Sequence, residues 1–176
     1  SHVDIPFEVE WSKVRLLREG LPMVDPAPRD PGCELPAHSR VPFRDVMNAA
    51  FEHLVRWVRE DISPPAADPL QVARMMPNVT FARDDSGNIL GGIRLAAHVV
   101  ATAKNTGMNS GTNGFCFLYG SHEPFDQATI DRLYPNQEAY VNAVKEVVSE
   151  NIEDGYILPY AAQRTISEAE ASDIGR

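Results

Sequence analysis

The chain has 176 residues, of which 43% are hydrophobic and 23% are charged, a balance typical of a globular fold with its own core. Its formal net charge of -9 argues against a nucleic-acid partner, because phosphate binding needs clustered Lys and Arg side chains. No apolar run approaches the ~18 residues of a membrane helix, and the first residues lack the basic and apolar regions of a signal peptide. We therefore expect neither nucleic acid nor membrane as a partner, and the sequence leaves the compartment undetermined.

The chain begins with Ser1-His2-Val3-Asp4, a histidine flanked by small and acidic residues ahead of any predicted element. A histidine in such a turn can be the general base of a hydrolase whose nucleophile lies upstream. Ser-His is also what a cleaved affinity tag leaves behind. From these residues alone, both interpretations stand.

The first forty residues predict an irregular segment, in which only Val9–Glu19 has the pattern of a short helix. Prolines interrupt the rest and disfavour helix at the residues before them. A loop of this length is typical of a functional surface loop or of a fold whose other half is absent. The prolines of this segment are Pro6, Pro22, Pro26, Pro28, Pro31 and Pro36, and Pro42 follows it.

The segment from Phe43 to Asp61 predicts an amphipathic helix, because apolar residues recur at spacings of three and four with charged residues between them. Ser63-Pro64-Pro65 ends this helix, and residues 66–77 are expected to form a linker that enters a strand near Gln71-Val72. The apolar stripe of the helix consists of Met47, Ala50, Phe51, Leu54, Trp57 and Val58.

A β-hairpin is predicted from two extended stretches, residues 79–83 and 89–90, around the turn Asp84-Asp85-Ser86-Gly87-Asn88. The last third is predicted to be helical, with N-cap residues starting helices at 126–133 and 136–153, and with a final helix at 160–171.

The chemistry-bearing residues do not form a complete catalytic site within this sequence. There is no Gly-x-Ser-x-Gly nucleophile elbow, no phosphate-binding loop and no His-Glu-x-x-His metal helix. His53 and His98 are interpreted as structural. Ser121-His122-Glu123 places a hydroxyl, an imidazole and a carboxylate in succession, but catalytic groups must converge in space, so we interpret His122 as non-catalytic.

The two cysteines, Cys33 and Cys116, have no metal-binding spacing. They are either thiols in the core or a single disulfide, which would require an oxidising compartment. The sequence does not choose between these states.

Much of the chain after residue 40 resembles the C-terminal portion of a bacterial α/β-hydrolase-domain family of esterase-like proteins. Its most specific part is Gly-Asn-x-x-Gly-Gly-Ile-Arg at residues 87–94, downstream of the amphipathic helix and the double proline. The resemblance is carried by residues 47–59, 63–65, 85–94, 116–121, 124–125, 133–135 and 140–141.

In that family, a turn of the type Ala-Gly-x-Ser-His-x-Asp supplies the histidine of a Ser-acid-His triad. Ser1-His2-Val3-Asp4 is similar to the end of that turn, so the resemblance implies that His2 is the catalytic base. In the chain order of α/β-hydrolases the serine and the acid precede the histidine, which would place both upstream of residue 1.

The resemblance therefore predicts an α/β fold: the C-terminal part of an α/β-hydrolase fold with an added β-hairpin and C-terminal helices. Residues 1–65 are expected to form the end of the hydrolase core, and residues 66–176 a family-specific extension. The expected function is part of a serine hydrolase acting on carboxylic esters, and the alternative is a non-catalytic lid or interaction module.

The partners expected from the resemblance are the N-terminal half of the same hydrolase and a small-molecule ester. No metal and no organic cofactor are expected. If the helix at Phe43–Asp61 lacks the sheet on which it should pack, its apolar stripe is expected to cause self-association of the chain.

Overall fold

The computed structural model describes residues 32–112 and 114–176, and the predictions for residues 1–31, His2 among them, lie outside the described residues. Within the described part, the elements follow in the order α1 (Phe43–Glu60), β1 (Val72–Arg74), β2 (Thr80–Phe81), α2 (Ala96–Val99), β3 (Ala103–Thr106), α3 (Cys116–Tyr119), β4 (Ser121–Pro124), α4 (Gln127–Leu133), α5 (Gln137–Glu153) and α6 (Pro159–Ala171).

The strands form two small sheets, in which β1 pairs with β2 and β3 pairs with β4. The chain divides into two compact units. The described residues of unit 1 run up to Val41 and resume at Asn105–Glu123, and unit 2 comprises Pro42–Lys104 and Pro124–Arg176. The sequence-based division at residue 65 concerns the hydrolase core and its extension, and it stays a prediction.

Helix α1 confirms the predicted amphipathic helix to within one residue at its end. Asp61 follows it in the left-handed conformation, with φ of 58°, and donates its N–H to the carbonyl of Trp57. The buried residues of α1 are Asp45 and Ala49, whereas most of the predicted apolar stripe is exposed. The large exposed apolar side chains of this helix are Phe51, Leu54, Val55, Trp57 and Val58.

Unit 2 has an apolar core to which α5 contributes one face. The side chain of Asn136 caps this helix by accepting the N–H of Ala139 at 2.8 Å, and Gly155 follows its end with φ of 76°. Each fully buried valine contributes about 1.5–3 kcal/mol through the hydrophobic effect. The core of unit 2 includes Leu95, Val141, Val144, Val147, Val148, Ile157, Ala161 and Ala162.

The predicted helices of the last third are present as α4, α5 and α6. The Asp126 carboxylate caps α4 through the N–H of Thr129 at 2.8 Å, as the sequence indicates. The predicted β-hairpin is not confirmed as a pair of strands. Its turn closes through the Asp84 carboxylate, and an isolated antiparallel bridge joins Arg83 to Ile89. Backbone hydrogen bonds from Asp84 to Asn88 and from Leu90 to Ala82, both of 2.9 Å, also join the two sides.

Unit 1 holds three elements that the sequence did not predict: the short helix α3 and parts of strands β3 and β4. Isolated bridges join Cys33 to Gly111 and Ala37 to Ser121. The described part of the chain thus mixes helices and strands, in agreement with the predicted α/β class.

Candidate functional site

The best-defined histidine environment in unit 1 is a polar cluster formed by His122, Asn105 and the backbone of Arg40. The side-chain oxygen of Asn105 accepts the backbone N–H of Arg40 at 3.3 Å and lies 3.0 Å from Nδ1 of His122. Because an amide oxygen only accepts, Nδ1 of His122 must donate the proton. This arrangement leaves Nε2 of the neutral ring as an acceptor.

The charge state of His122 follows from its surroundings. Burial of the ring, and then the positive charge of Arg40, lower the pKa of His122 to about 4. The imidazole is therefore neutral near pH 7. A base with so low a pKa accepts a proton weakly at neutral pH.

Ser121 precedes His122 on β4, but the two side chains have separate partners. The hydroxyl of Ser121 is fully buried and lies 2.8 Å from the hydroxyl of Thr106, whereas His122 bonds to Asn105. Successive side chains of a strand point to opposite faces, which explains the separation. Ser121 and His122 thus bond to different residues, and the interpretation of His122 as non-catalytic stays a prediction.

The polar loop before α3 is held by Asn109. Its amide nitrogen donates to the carbonyls of Leu35 and Gly120 at 3.0 and 2.9 Å, and its oxygen accepts the N–H of Leu35 at 3.2 Å. The Cys33–Cys116 disulfide links the same two segments of unit 1, which resolves the alternative that the sequence left open. This loop is therefore fixed by side-chain hydrogen bonds and by a covalent bond.

A second polar network in unit 2 surrounds His98. Its Nδ1 accepts the N–H of Leu95 at 3.3 Å, and Arg94 forms an ion pair with Asp84. Burial, followed by the Arg94 charge, lowers the pKa of His98, and the charge of Asp84 opposes this effect. The network connects the turn that closes at Asn88 to α2, and His98 contributes to it through a backbone hydrogen bond.

His53 also has a structural contact, since its Nε2 lies 2.7 Å from the carbonyl oxygen of Gly155. A carbonyl only accepts, so Nε2 carries the proton. His53 also lines an apolar pocket of unit 2, together with side chains from α1 and from the double proline. No residue pattern indicates this pocket in advance, because its walls come from four separate segments.

The described residues contain no group of three or more His, Cys, Asp or Glu side chains that could hold a metal ion. None of the helices in residues 32–112 and 114–176 is both long and apolar enough to cross a bilayer. The sequence-predicted site residue, His2, lies outside these residues, so its role as a base stays a prediction.

Comparison with known proteins identifies the family of the chain. No curated protein and no solved structure matches the chain. A family model described as alpha/beta hydrolase domain matches residues 1–167, nearly the whole chain and including Ser1-His2-Val3-Asp4. The match confirms the resemblance seen in the sequence and indicates a hydrolase-type function. The chain belongs to this alpha/beta hydrolase domain family.

Proposed function

We propose that this chain supplies the base histidine, His2, to a serine hydrolase that cleaves carboxylic esters. The observation that carries the proposal is that the family match includes Ser1-His2-Val3-Asp4. A tag remnant would have no reason to continue into Val3-Asp4 in agreement with the family's histidine turn. The membership of the chain in a hydrolase family supports the same assignment.

The proposed mechanism is acyl transfer through a serine. The imidazole of His2 takes the proton of the serine hydroxyl during attack on the ester carbonyl, and it returns that proton to the leaving alcohol. A carboxylate fixes the tautomer of the ring. The serine and the carboxylate come from the N-terminal half of the hydrolase, because residues 1–176 include no nucleophile elbow.

Three of the four described histidines, all except His38, support His2 by contrast. In His53 and in His98, one ring nitrogen is hydrogen-bonded to a backbone group. The pKa of His122 is too low for an efficient base near pH 7. The Nδ1 proton of His122 goes to an amide oxygen rather than to a carboxylate.

The exposed face of α1 supports a large protein partner. Phe51 is 60% exposed and Val58 is 78% exposed, although the spacing of these residues is that of a core-facing stripe. We propose that the N-terminal half of the hydrolase covers this face. Without that cover, the face is expected to drive self-association, because contiguous exposed apolar surface favours contacts between molecules.

The test replaces His2 by Ala in the complete hydrolase and measures the hydrolysis of a p-nitrophenyl ester. Loss of a triad histidine is expected to lower kcat by about 10⁴- to 10⁶-fold. The matched control is His122→Gln, which removes another imidazole and is expected to retain most of the activity.

Three results would contradict the proposal in different ways. Wild-type kcat in His2→Ala would exclude His2 as the base. Loss of activity in His122→Gln alone would transfer that role to His122. A complete protein that binds its partner half but hydrolyses no ester would favour the alternative function, a non-catalytic interaction module.

A further inference from the structure

Unit 2 contains a pocket of about 350 Å³ beside helix α1. Leu54 and Trp57 form one wall, Pro64 and Pro65 form another, and Ile93 contributes from the segment before α2. This volume falls in the range of about 300–1,000 Å³ that is typical of small-molecule sites. It corresponds to about a dozen water-sized volumes, enough for a medium-length hydrocarbon chain.

Two polar side chains at the pocket wall, His53 and Tyr156, already have partners. Nε2 of His53 bonds to the carbonyl of Gly155, and the hydroxyl of Tyr156 donates to the carbonyl of Ala66 at 3.2 Å. None of the lining residues is Asp, Glu, Lys or Arg. The walls therefore favour an uncharged, apolar ligand, because a charged ligand would lose its hydration without gaining an ion pair.

Gly155 fixes the contact between two of the walls. It has φ of 76°, which disfavours other residues, and a Cβ at this position would lie 3.0 Å from Nε2 of His53 and 3.2 Å from Pro65. The end of α5 therefore approaches α1 and the double proline closely. The pocket is built by a specific backbone geometry rather than by an exposed helix face alone.

From this geometry we infer that the pocket binds the uncharged hydrocarbon group of an ester or of its alcohol product. The inference rests on the proposed function for the link to esters, and it defines the substrate class as esters with a medium-length aliphatic group. The net charge of -9 agrees with a neutral ligand, since it disfavours the approach of an anionic fatty acid.

Direct binding separates this inference from catalysis. Saturation-transfer NMR would measure the affinity of the complete protein for 1-octanol, in the wild type and in Ala67→Phe. Ala67 is exposed and lines the pocket, so a phenyl ring at this position should occupy it. Affinity should fall about tenfold for every two methylene groups that no longer fit. The matched control is Ala66→Phe, at an exposed neighbour that does not line the pocket.

A second pair of variants tests the pocket independently, in case Ala67→Phe does not fold. Trp57→Ala removes a wall and should weaken binding, whereas Glu52→Ala, at an exposed residue of the same helix that does not line the pocket, should not. Absence of octanol binding would overturn the inference, and so would equal binding by all variants, which would show that octanol binds elsewhere on the protein. Octanol binding without ester hydrolysis would retain the pocket and reject the proposed function.

Discussion

The two units are stabilised by different interactions. Unit 2 buries a continuous set of aliphatic side chains, among them Val144 and Val148 of α5 and Ala161 of α6. Among the described residues of unit 1, Cys116 is the buried hydrophobic residue, and it belongs to a disulfide. The other buried side chains in the described part of that unit are polar: Ser39, Asn105 and Ser121.

This difference indicates how each unit should respond to a change. An aliphatic core loses stability when its volume or its buried charges are disturbed. A segment held by a disulfide and by side-chain hydrogen bonds depends on redox state and on the protonation of its polar groups. Mutations and solution conditions should therefore affect the stability of the two units differently.

The largest effect is expected from removal of the Cys33–Cys116 disulfide, which spans 83 residues of sequence. The double variant Cys33→Ser/Cys116→Ser should lose about 2–5 kcal/mol, because the unfolded chain regains the entropy of a long open loop. Hydrogen exchange should show reduced protection at the N–H groups of Glu34 and Ser39, which bond within unit 1. Amides in the middle of α5 should keep their protection.

Reductant provides the control for this variant. It should produce the same loss of protection in the wild type and no further loss in the double variant. Equal loss in both units would show that the disulfide stabilises the whole chain rather than unit 1.

Within unit 2, the next largest effect is expected from the ion pair between Arg164 and Asp45, whose atoms are 2.5 Å apart. Asp45 is 2% exposed, so Arg164→Ala would leave a buried carboxylate without its main partner, at a cost of about 3 kcal/mol. Lys145→Ala is the matched control. Its ion pair with Glu170 is half-exposed and should contribute less than about 1 kcal/mol. If urea unfolding showed the same loss of unfolding free energy in Arg164→Ala and in Lys145→Ala, this assignment would be contradicted.

Much of the secondary structure could be predicted from local patterns. Side-chain caps at Asp126 and Asn136, and a helical apolar spacing in residues 43–61, are local signals that the structure confirms. Strands β3 and β4 were missed, because they are only four residues long and carry polar residues. Pairing between such strands depends on distant parts of the chain, which residue patterns do not report.

The candidate site was less predictable, for the same reason. The partner of His122 is Asn105, 17 residues earlier, and no spacing rule connects an amide and an imidazole across two strands. The disulfide likewise depends on the distance in space between Cys33 and Cys116, which the sequence does not determine. The resemblance to a family predicted that the chain belongs to a hydrolase family, whereas the contacts of Asn105 and Gly155 could be recognised only in the three-dimensional structure.

The smallest effect concerns acid sensitivity in unit 1. His122 has a pKa near 4 when folded, against 6.5 ordinarily, so the unfolded chain binds more protons between these values. Stability should therefore fall as pH decreases from 6.5 to 4, and this contribution should be constant below pH 4. The full difference corresponds to at most about 3 kcal/mol, which partial exposure of the ring reduces to about 1–2 kcal/mol.

His122→Gln isolates this contribution, because it removes the titrating group while the other histidines remain. The free energy of unfolding of the wild type, measured in urea from pH 7 to pH 4, should fall more steeply than that of the variant. Parallel curves would show that His122 titrates alike in the folded and unfolded chains. Because the pKa of His98 is also lowered, unit 2 has an acid response of its own, which is common to both proteins. Only the difference between the curves therefore reports on the polar cluster of unit 1.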